Sequence, residues 1–206
     1  PLLFSEVNAG NIREHVLTLS ANAAMLWNFQ DYKTDEFLLN FCNQYYGESY
    51  GEVVAGIYKE FFYSYWNQKN NDIEDFERQY IFHDLRYQKA VGQIAKKFFQ
   101  PYDPNPLKDM SNEQVENRTF QIVPQDNGTK SQIDAIILGT QNSIAKLNQL
   151  TQKADNLYTK LNKREKTFFN DNLRVQAYFM LNLNKALHNF CVAYKYRDSA
   201  IQKQYL

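Results

Sequence analysis

Most of the chain has apolar residues at helical spacing, and one central stretch does not. From Asn11 to Trp27, apolar side chains recur every three or four residues, which predicts an amphipathic helix. The same spacing predicts further helices at about 34–46, 49–66, 75–100, 131–162 and from Glu165 into the final residues. The interval 101–130 has no helical period and contains four of the five prolines, so we predict a long loop or insertion there.

Local signals support the predicted helix ends. Thr34 is expected to cap the second helix through its hydroxyl, and Asp35 and Glu36 suit the positive end of the helix dipole. Gly47 is expected to end that helix in the left-handed conformation. With only seven glycines, the chain is poor in tight turns. The pattern therefore predicts an all-α fold: an up-and-down bundle of about six helices in a single domain, 1–206, with a long helical hairpin at the C-terminal end.

Charge and hydropathy narrow the choice of partners. Lys plus Arg and Asp plus Glu are both 23, so the formal net charge is zero and the pI is near 7.3. Such a balance does not favour nucleic acid or an anionic membrane as a partner. No apolar run reaches the roughly 18 residues that a membrane-spanning helix needs. The start at Pro1, with neither Met nor a signal-like segment, is interpreted as that of a fragment excised from a longer protein.

The residues with chemical potential form no catalytic or metal-binding motif. His15, His83 and His188 lie far apart and lack partner ligands at helical spacing, so no metal ligand is assigned. An acidic cluster at 72–77 could supply a glycosidase carboxylate pair, but stabilisation of a helix start is the simpler interpretation. We therefore predict no catalytic, cofactor-binding or metal-binding residue in the chain, and no cofactor.

The two cysteines, Cys42 and Cys191, sit within apolar helical patterns, which predicts two buried thiols. A disulfide between them would need the two ends of the chain to meet, and their spacing cannot establish that.

Aromatic residues make up 16% of the chain, and most follow helical spacing. Rings at such spacing usually face a core, so the rings of Phe37, Phe41, Phe61 and Tyr65 are expected to be buried. Rings near helix ends are better candidates for an exposed interface or a carbohydrate contact. Four residues are predicted for that role: Trp27, Tyr46, Tyr50 and Trp66.

Two long stretches resemble a known family. "ANAAMLWNFQDYKTDEFLLNFCNQYYGESYGEVVAGIYKEFFYSY" has a Trp-Asn element at 27–28, an aromatic-Gly-Glu-x-Tyr turn at 46–50 and a helix of the "EVVAGIYKEF" kind. "LNQLTQKADNLYTKLNKREKTFFNDNLRVQAYFMLNLNKALHNF" looks like a long helical hairpin. Together they resemble the helical region that follows the catalytic barrel in glycoside hydrolase family 115, the xylan α-glucuronidases. The insertion at 101–130 departs from the family's pattern.

The resemblance implies a non-catalytic accessory domain of a secreted or periplasmic bacterial enzyme that acts on glucuronoxylan. Such a domain would support the barrel of the parent chain, extend the substrate groove or mediate dimerisation. Its partners would be that barrel, a second copy or a plant polysaccharide. The catalytic acids of the family lie in the barrel, so none is carried over to this chain. The alternative is a free-standing helical module that binds a partner helix or peptide, and a metal or cofactor enzyme is a third hypothesis.

Overall fold

The computed structural model describes residues 12–64, 66–69, 77–80 and 128–204. Its elements, in chain order, are a 3₁₀ turn Arg13–His15, α1 Val16–Trp27, α2 Thr34–Tyr46, α3 Glu48–Phe62, β1 Trp66–Lys69, β2 Glu77–Tyr80, α4 Gly128–Lys160, α5 Lys163–Phe169, a π-helical segment Asn170–Arg174, and α6 Val175–Gln204. The fold is helical, as predicted. Since α5, the π segment and α6 run on continuously, the described residues contain five separate α-helices, against about six predicted.

Two predicted helices need correction. The third ends at Phe62 rather than near Trp66. The fourth, expected over 75–100, is replaced at Glu77–Tyr80 by β2, which pairs antiparallel with β1 in the register Trp66 opposite Tyr80. These short strands are polar, so apolar periodicity carries no strand signal here. The rest of that predicted helix lies outside the described residues. So does the predicted loop, except for residues 128–130, which begin α4.

The ends of α2 follow from local chemistry, with two differences from the expected geometry. Thr34 is the first helical residue, and Lys33 occupies the cap position without a side-chain hydrogen bond. Gly47 ends α2 with φ of 71°, a value that favours glycine, although its ψ of 167° lies outside the left-handed helix. One glycine therefore both ends α2 and precedes α3.

The described chain forms two compact units, the first being Pro1–Tyr63 with Asn148–Phe179. In this unit α2 packs closely on α3 because Gly51 has no side chain: a Cβ there would lie 2.9 Å from the Cα of Asn43. The buried core includes Phe41, Phe61 and Phe169. The expected burial of Phe41 and Phe61 is thus confirmed; the ring of Phe37 is half-buried, and Tyr65 lies outside the described residues.

The second unit is Ser64–Leu147 with Met180–Leu206. Its parts of α4 and α6 run antiparallel, as expected for a helical hairpin: Thr140 contacts His188, and Lys195 donates to Asp134 at 2.7 Å. Leu147, Leu187 and other apolar side chains form its buried core.

The turn between α4 and α5 is fixed by a capping box. The side-chain Oδ1 of Asn162 accepts from the backbone N–H groups of Arg164 and Glu165 at 2.9 and 3.0 Å. The carboxylate of Glu165 accepts from the backbone N–H of Asn162 at 2.9 Å. These bonds satisfy the free N–H groups at the start of α5. They place Lys163 and Arg164 in the first turn, beside the cleft described next.

Candidate binding site

A cleft of about 610 Å³ opens on the first unit. It is formed where the 3₁₀ turn and the start of α1 meet the C-terminal end of α2, α5 and the π segment. Its lining residues are Arg13, Val16, Tyr45, Lys163, Arg164, Thr167, Phe168, Asp171 and Asn172. A cavity of this size falls in the range of about 300–1,000 Å³ that is typical of small-molecule sites.

A stacked pair of aromatic rings forms the apolar wall of the cleft. The rings of Tyr45 and Phe168 lie 4.2 Å apart between centroids and are tilted by only 5°. Phe41 packs behind Tyr45 at 4.7 Å, and Tyr46 lies 5.9 Å from Phe168. Because the rings behind are buried, the pair is held in place while its own two rings remain half-buried.

Positive charge dominates the polar part of the cleft. Lys163 and Arg164 are exposed, and neither forms an ion pair with any other residue that the structure describes. The carboxylate of Asp171 lies 3.9 Å from the guanidinium of Arg13. Among the described residues that line the cleft, three cations thus accompany one carboxylate.

The π segment brings a buried amide to the same cleft. A π turn contains one more residue than an α turn, and such insertions occur frequently at functional sites. Asn172, only 5% exposed, donates from Nδ2 to the carbonyl of Phe168 at 3.1 Å. This bond orients the amide and leaves its buried Oδ1 without a hydrogen-bond partner among the described residues. An unpaired buried acceptor costs roughly 1–3 kcal/mol.

Arg174, the last residue of the π segment, joins a polar network. Its Nε donates to Asp155 at 2.7 Å, and the hydroxyl of Tyr178 donates to the other carboxylate oxygen at 2.6 Å. Its guanidinium also lies 4.8 Å from the ring centroid of Tyr158. Burial raises the pKa of Asp155, but the hydrogen bonds from Tyr178 and Arg174 outweigh burial, so its pKa lies below the usual range. The same bond to Asp155 raises the pKa of Tyr178.

Both cysteines are free and buried, as the sequence predicts. Burial raises the pKa of each thiol to about 12, so both are protonated and unreactive near neutral pH. Burial, with smaller effects of Tyr58 and Cys42, raises the pKa of Tyr46 far above its usual value. Tyr46, Tyr58 and Cys42 are thus a part of the core of the first unit.

A separate apolar surface lies at the end of α1. Leu26 is 51% exposed, Trp27 91% and Phe29 78%, and the three are close neighbours in the chain. We call these three residues the Trp27 patch. Single exposed apolar residues are common on proteins, whereas clustered ones mark interaction surfaces.

The four residues predicted for an interface have different surroundings. Trp27 is 91% exposed, and Tyr50 is half-buried, with its hydroxyl 3.4 Å from the carbonyl oxygen of Lys160. Tyr46 is only 1% exposed, so its expected exposure at a helix end is corrected: its ring meets Phe169 edge-on at 6.0 Å inside the core. For Trp66 the structure describes only the backbone, in β1.

The residues of the cleft were not predicted as a site. The polar letters "NKRE" at 162–165 indicate a turn, and nothing in them shows that Lys163 and Arg164 meet Tyr45. Among the described residues, no group of three His, Cys, Asp or Glu side chains could hold a metal ion. No helix in the described part of the chain is long and apolar enough to cross a membrane.

A family model matches the N-terminal third of the chain. Residues 4–72 match the model of glycosyl hydrolase family 115. The resemblance drawn from the Trp-Asn element, the Gly47 turn and α3 is therefore confirmed over this segment, which relates it to the glycoside hydrolases. Both the Trp27 patch and the α2–α3 pair lie within it. No curated protein and no solved structure gives a significant match to the chain.

Proposed function

We propose that the chain is a non-catalytic helical region of a family-115-like glycoside hydrolase and that it docks on the enzyme's catalytic barrel through the Trp27 patch. The parent enzyme would be a secreted or periplasmic bacterial α-glucuronidase acting on glucuronoxylan. Support comes from the family match over 4–72 and from the position of the patch inside that match.

The exposure of three apolar side chains close together in the sequence is the observation that carries this proposal. An aromatic side chain buries about 150–250 Å² when it is covered. At about 25 cal/mol per Å², covering Trp27 alone would contribute on the order of 4 kcal/mol before the costs of association. Leu26, at the end of α1, and Phe29, just after it, are also exposed. A few such rings at the centre of an interface commonly provide most of its binding energy.

Binding of the purified chain to the separately expressed barrel of the same enzyme tests the proposal by titration calorimetry. Trp27→Ala should weaken binding about tenfold or more, which is the effect of a central aromatic contact. Phe179→Ala is the matched control, since Phe179 is also an exposed ring of the first unit, at 61%. Its loss should change the affinity less than about twofold.

Other outcomes would support other roles. Concentration-dependent dimerisation that Trp27→Ala abolishes would indicate that the patch joins two copies. An absence of both barrel binding and dimerisation would favour a free-standing helical module. Equal binding by Trp27→Ala and the wild-type chain would contradict the assignment of the patch. The gene that encodes the chain provides an independent check, because the proposal requires a barrel region before this segment.

A further inference from the structure

We propose that the cleft binds an aromatic carboxylate, with the ring of the ligand against Tyr45 and Phe168 and its carboxylate at Lys163 and Arg164. This site lies outside the Trp27 patch and shares no residue with it. Its role goes beyond docking and is tested independently of it.

The surface of the cleft is mostly apolar. Its apolar side chains are those of Val16 at the start of α1, Tyr45 near the end of α2 and Phe168 in α5. The rings of Tyr45 and Phe168 stack at 4.2 Å, and both are half-buried, so a part of each ring is open to a ligand. A ligand ring that covers this wall gains both apolar burial and contact between rings. The wall therefore favours an aromatic ligand body.

The charged side chains of the lining favour an anion. Lys163 and Arg164 are exposed and form no ion pair with any residue that the structure describes, whereas Asp171 lies 3.9 Å from the guanidinium of Arg13. A guanidinium can hold both oxygens of a carboxylate through parallel hydrogen bonds, and a neighbouring ammonium adds a point charge. Because the rest of the lining is mostly apolar, a singly charged carboxylate loses less hydration here than a doubly charged phosphate.

Helical spacing places a cation and a ring on one face of α5. Arg164 and Phe168 are four residues apart in this helix, and side chains at that spacing are neighbours, with about 5–6 Å between their Cβ atoms. A small aromatic acid can therefore contact both at once. The Asn162 cap fixes the first turn of α5, and Tyr45 stacks on Phe168, so both halves of the site are held in place by contacts within the protein.

An NMR titration of the full chain at low salt tests the proposal, because shifts of the backbone amides both measure weak affinities and locate the ligand. The probes are phenylpropionate, phenylpropanol, which lacks the charge, and propionate, which lacks the ring. Phenylpropionate should bind about tenfold or more tightly than propionate and about fivefold or more tightly than phenylpropanol, since only it engages both halves of the cleft. Its affinity should fall as salt is added, because exposed cations are screened.

The position of the shifts is a second readout of the same titration. The largest shifts should fall in α5, around Arg164 and Phe168. Shifts confined to other parts of the chain would overturn the assignment. An affinity for phenylpropionate no greater than that for propionate or phenylpropanol would overturn it as well.

Variants test the two halves separately. The double variant Lys163→Gln and Arg164→Gln should lower the affinity for phenylpropionate about fivefold or more and change that for phenylpropanol less than about twofold, because only the charge is removed. Lys185→Gln, which removes an exposed cation of α6 that does not line the cleft, is the matched control and should change neither affinity more than about twofold. Phe168→Leu keeps an apolar side chain but removes the stacked ring, so it should weaken the binding of both ring-bearing probes.

The glutamine changes leave the side chain of the Asn162 cap in place, so they test the site even where Phe168→Leu fails to fold. Unchanged affinity for phenylpropionate in the double variant would contradict the proposal.

Discussion

The close approach of α2 and α3 can be tested by adding a single methyl group. In Gly51→Ala the new Cβ would lie 1.9 Å from the side-chain oxygen of Asn43 and 2.9 Å from its Cα. Ordinary van der Waals separations begin at 3.4 Å. The oxygen can rotate away, but the Cα belongs to the backbone of α2, so the two helices must separate by about 0.5 Å. Overpacking of this kind costs roughly 1–3 kcal/mol.

The same helix provides a matched control. Gly56 is exposed on α3, and a Cβ there meets no atom within 4 Å. Both substitutions gain the helix propensity of alanine, about 1 kcal/mol, so the gain cancels when the two variants are compared. Gly56→Ala should be more stable than the wild-type chain, and Gly51→Ala should be less stable than Gly56→Ala by about 1–3 kcal/mol.

Urea unfolding followed by circular dichroism measures this difference. With an m-value of about 2 kcal/mol per molar, the two midpoints should differ by about 0.5–1.5 M. Adding Asn43→Ala to Gly51→Ala removes the clash with the side-chain oxygen and leaves the clash with the backbone of α2, so it should restore only a part of the loss. Equal midpoints for the two glycine variants would refute the close packing of α2 on α3. Full recovery by Asn43→Ala would show that the contact with the Cα of Asn43 does not destabilise the variant.

Three further predictions concern the first unit. Asn162→Ala should lower the free energy of unfolding by about 1 kcal/mol in urea melts. Asn162→Asp should lower it much less, since only alanine removes the cap, and equal losses would contradict the prediction. Phe41→Ala should lower the free energy of unfolding by about 3–5 kcal/mol, whereas Trp27→Ala should change it by less than about 0.5 kcal/mol, because only the ring of Phe41 is buried. Similar shifts in melting temperature for the two variants would contradict this. The lowered pKa of Asp155 stabilises the fold above about pH 4, and that contribution is lost as the pH falls through the folded value. The raised pKa of Tyr178 stabilises the fold below about pH 10, and that contribution is lost as the pH rises through the folded pKa. The stability difference between Asp155→Asn and the wild-type chain should therefore be largest between these limits; a difference independent of pH would exclude the network.

Helix positions were predictable where the signal is local. α2 spans Thr34–Tyr46 because acidic residues at its start and the glycine that follows its last residue act within one turn. The apolar spacing of α4 and α6 likewise predicts two long helices without knowledge of the fold. The strand at Glu77–Tyr80 was missed because strand pairing depends on a partner at 66–69, and neither segment alternates apolar with polar residues.

The cleft could not be predicted for a different reason. Tyr45 and Phe168 are far apart in the sequence, and their stacking exists only after α2 packs on α5. The π segment has no sequence signature either, since the residues of Asn170–Arg174 are those of an ordinary polar helical turn. The burial of Tyr46 shows the same limit: it follows Tyr45 directly, yet one ring lines the cleft and the next lies in the core.

The Trp27 patch and the cleft differ in how they relate to the family match. The Trp27 patch lies wholly within residues 4–72. The cleft takes Arg13 and Tyr45 from that segment, but both unpaired cations and the buried amide of Asn172 come from beyond it. Trp27→Ala therefore tests docking and leaves the cleft unchanged, because the two surfaces share no residue.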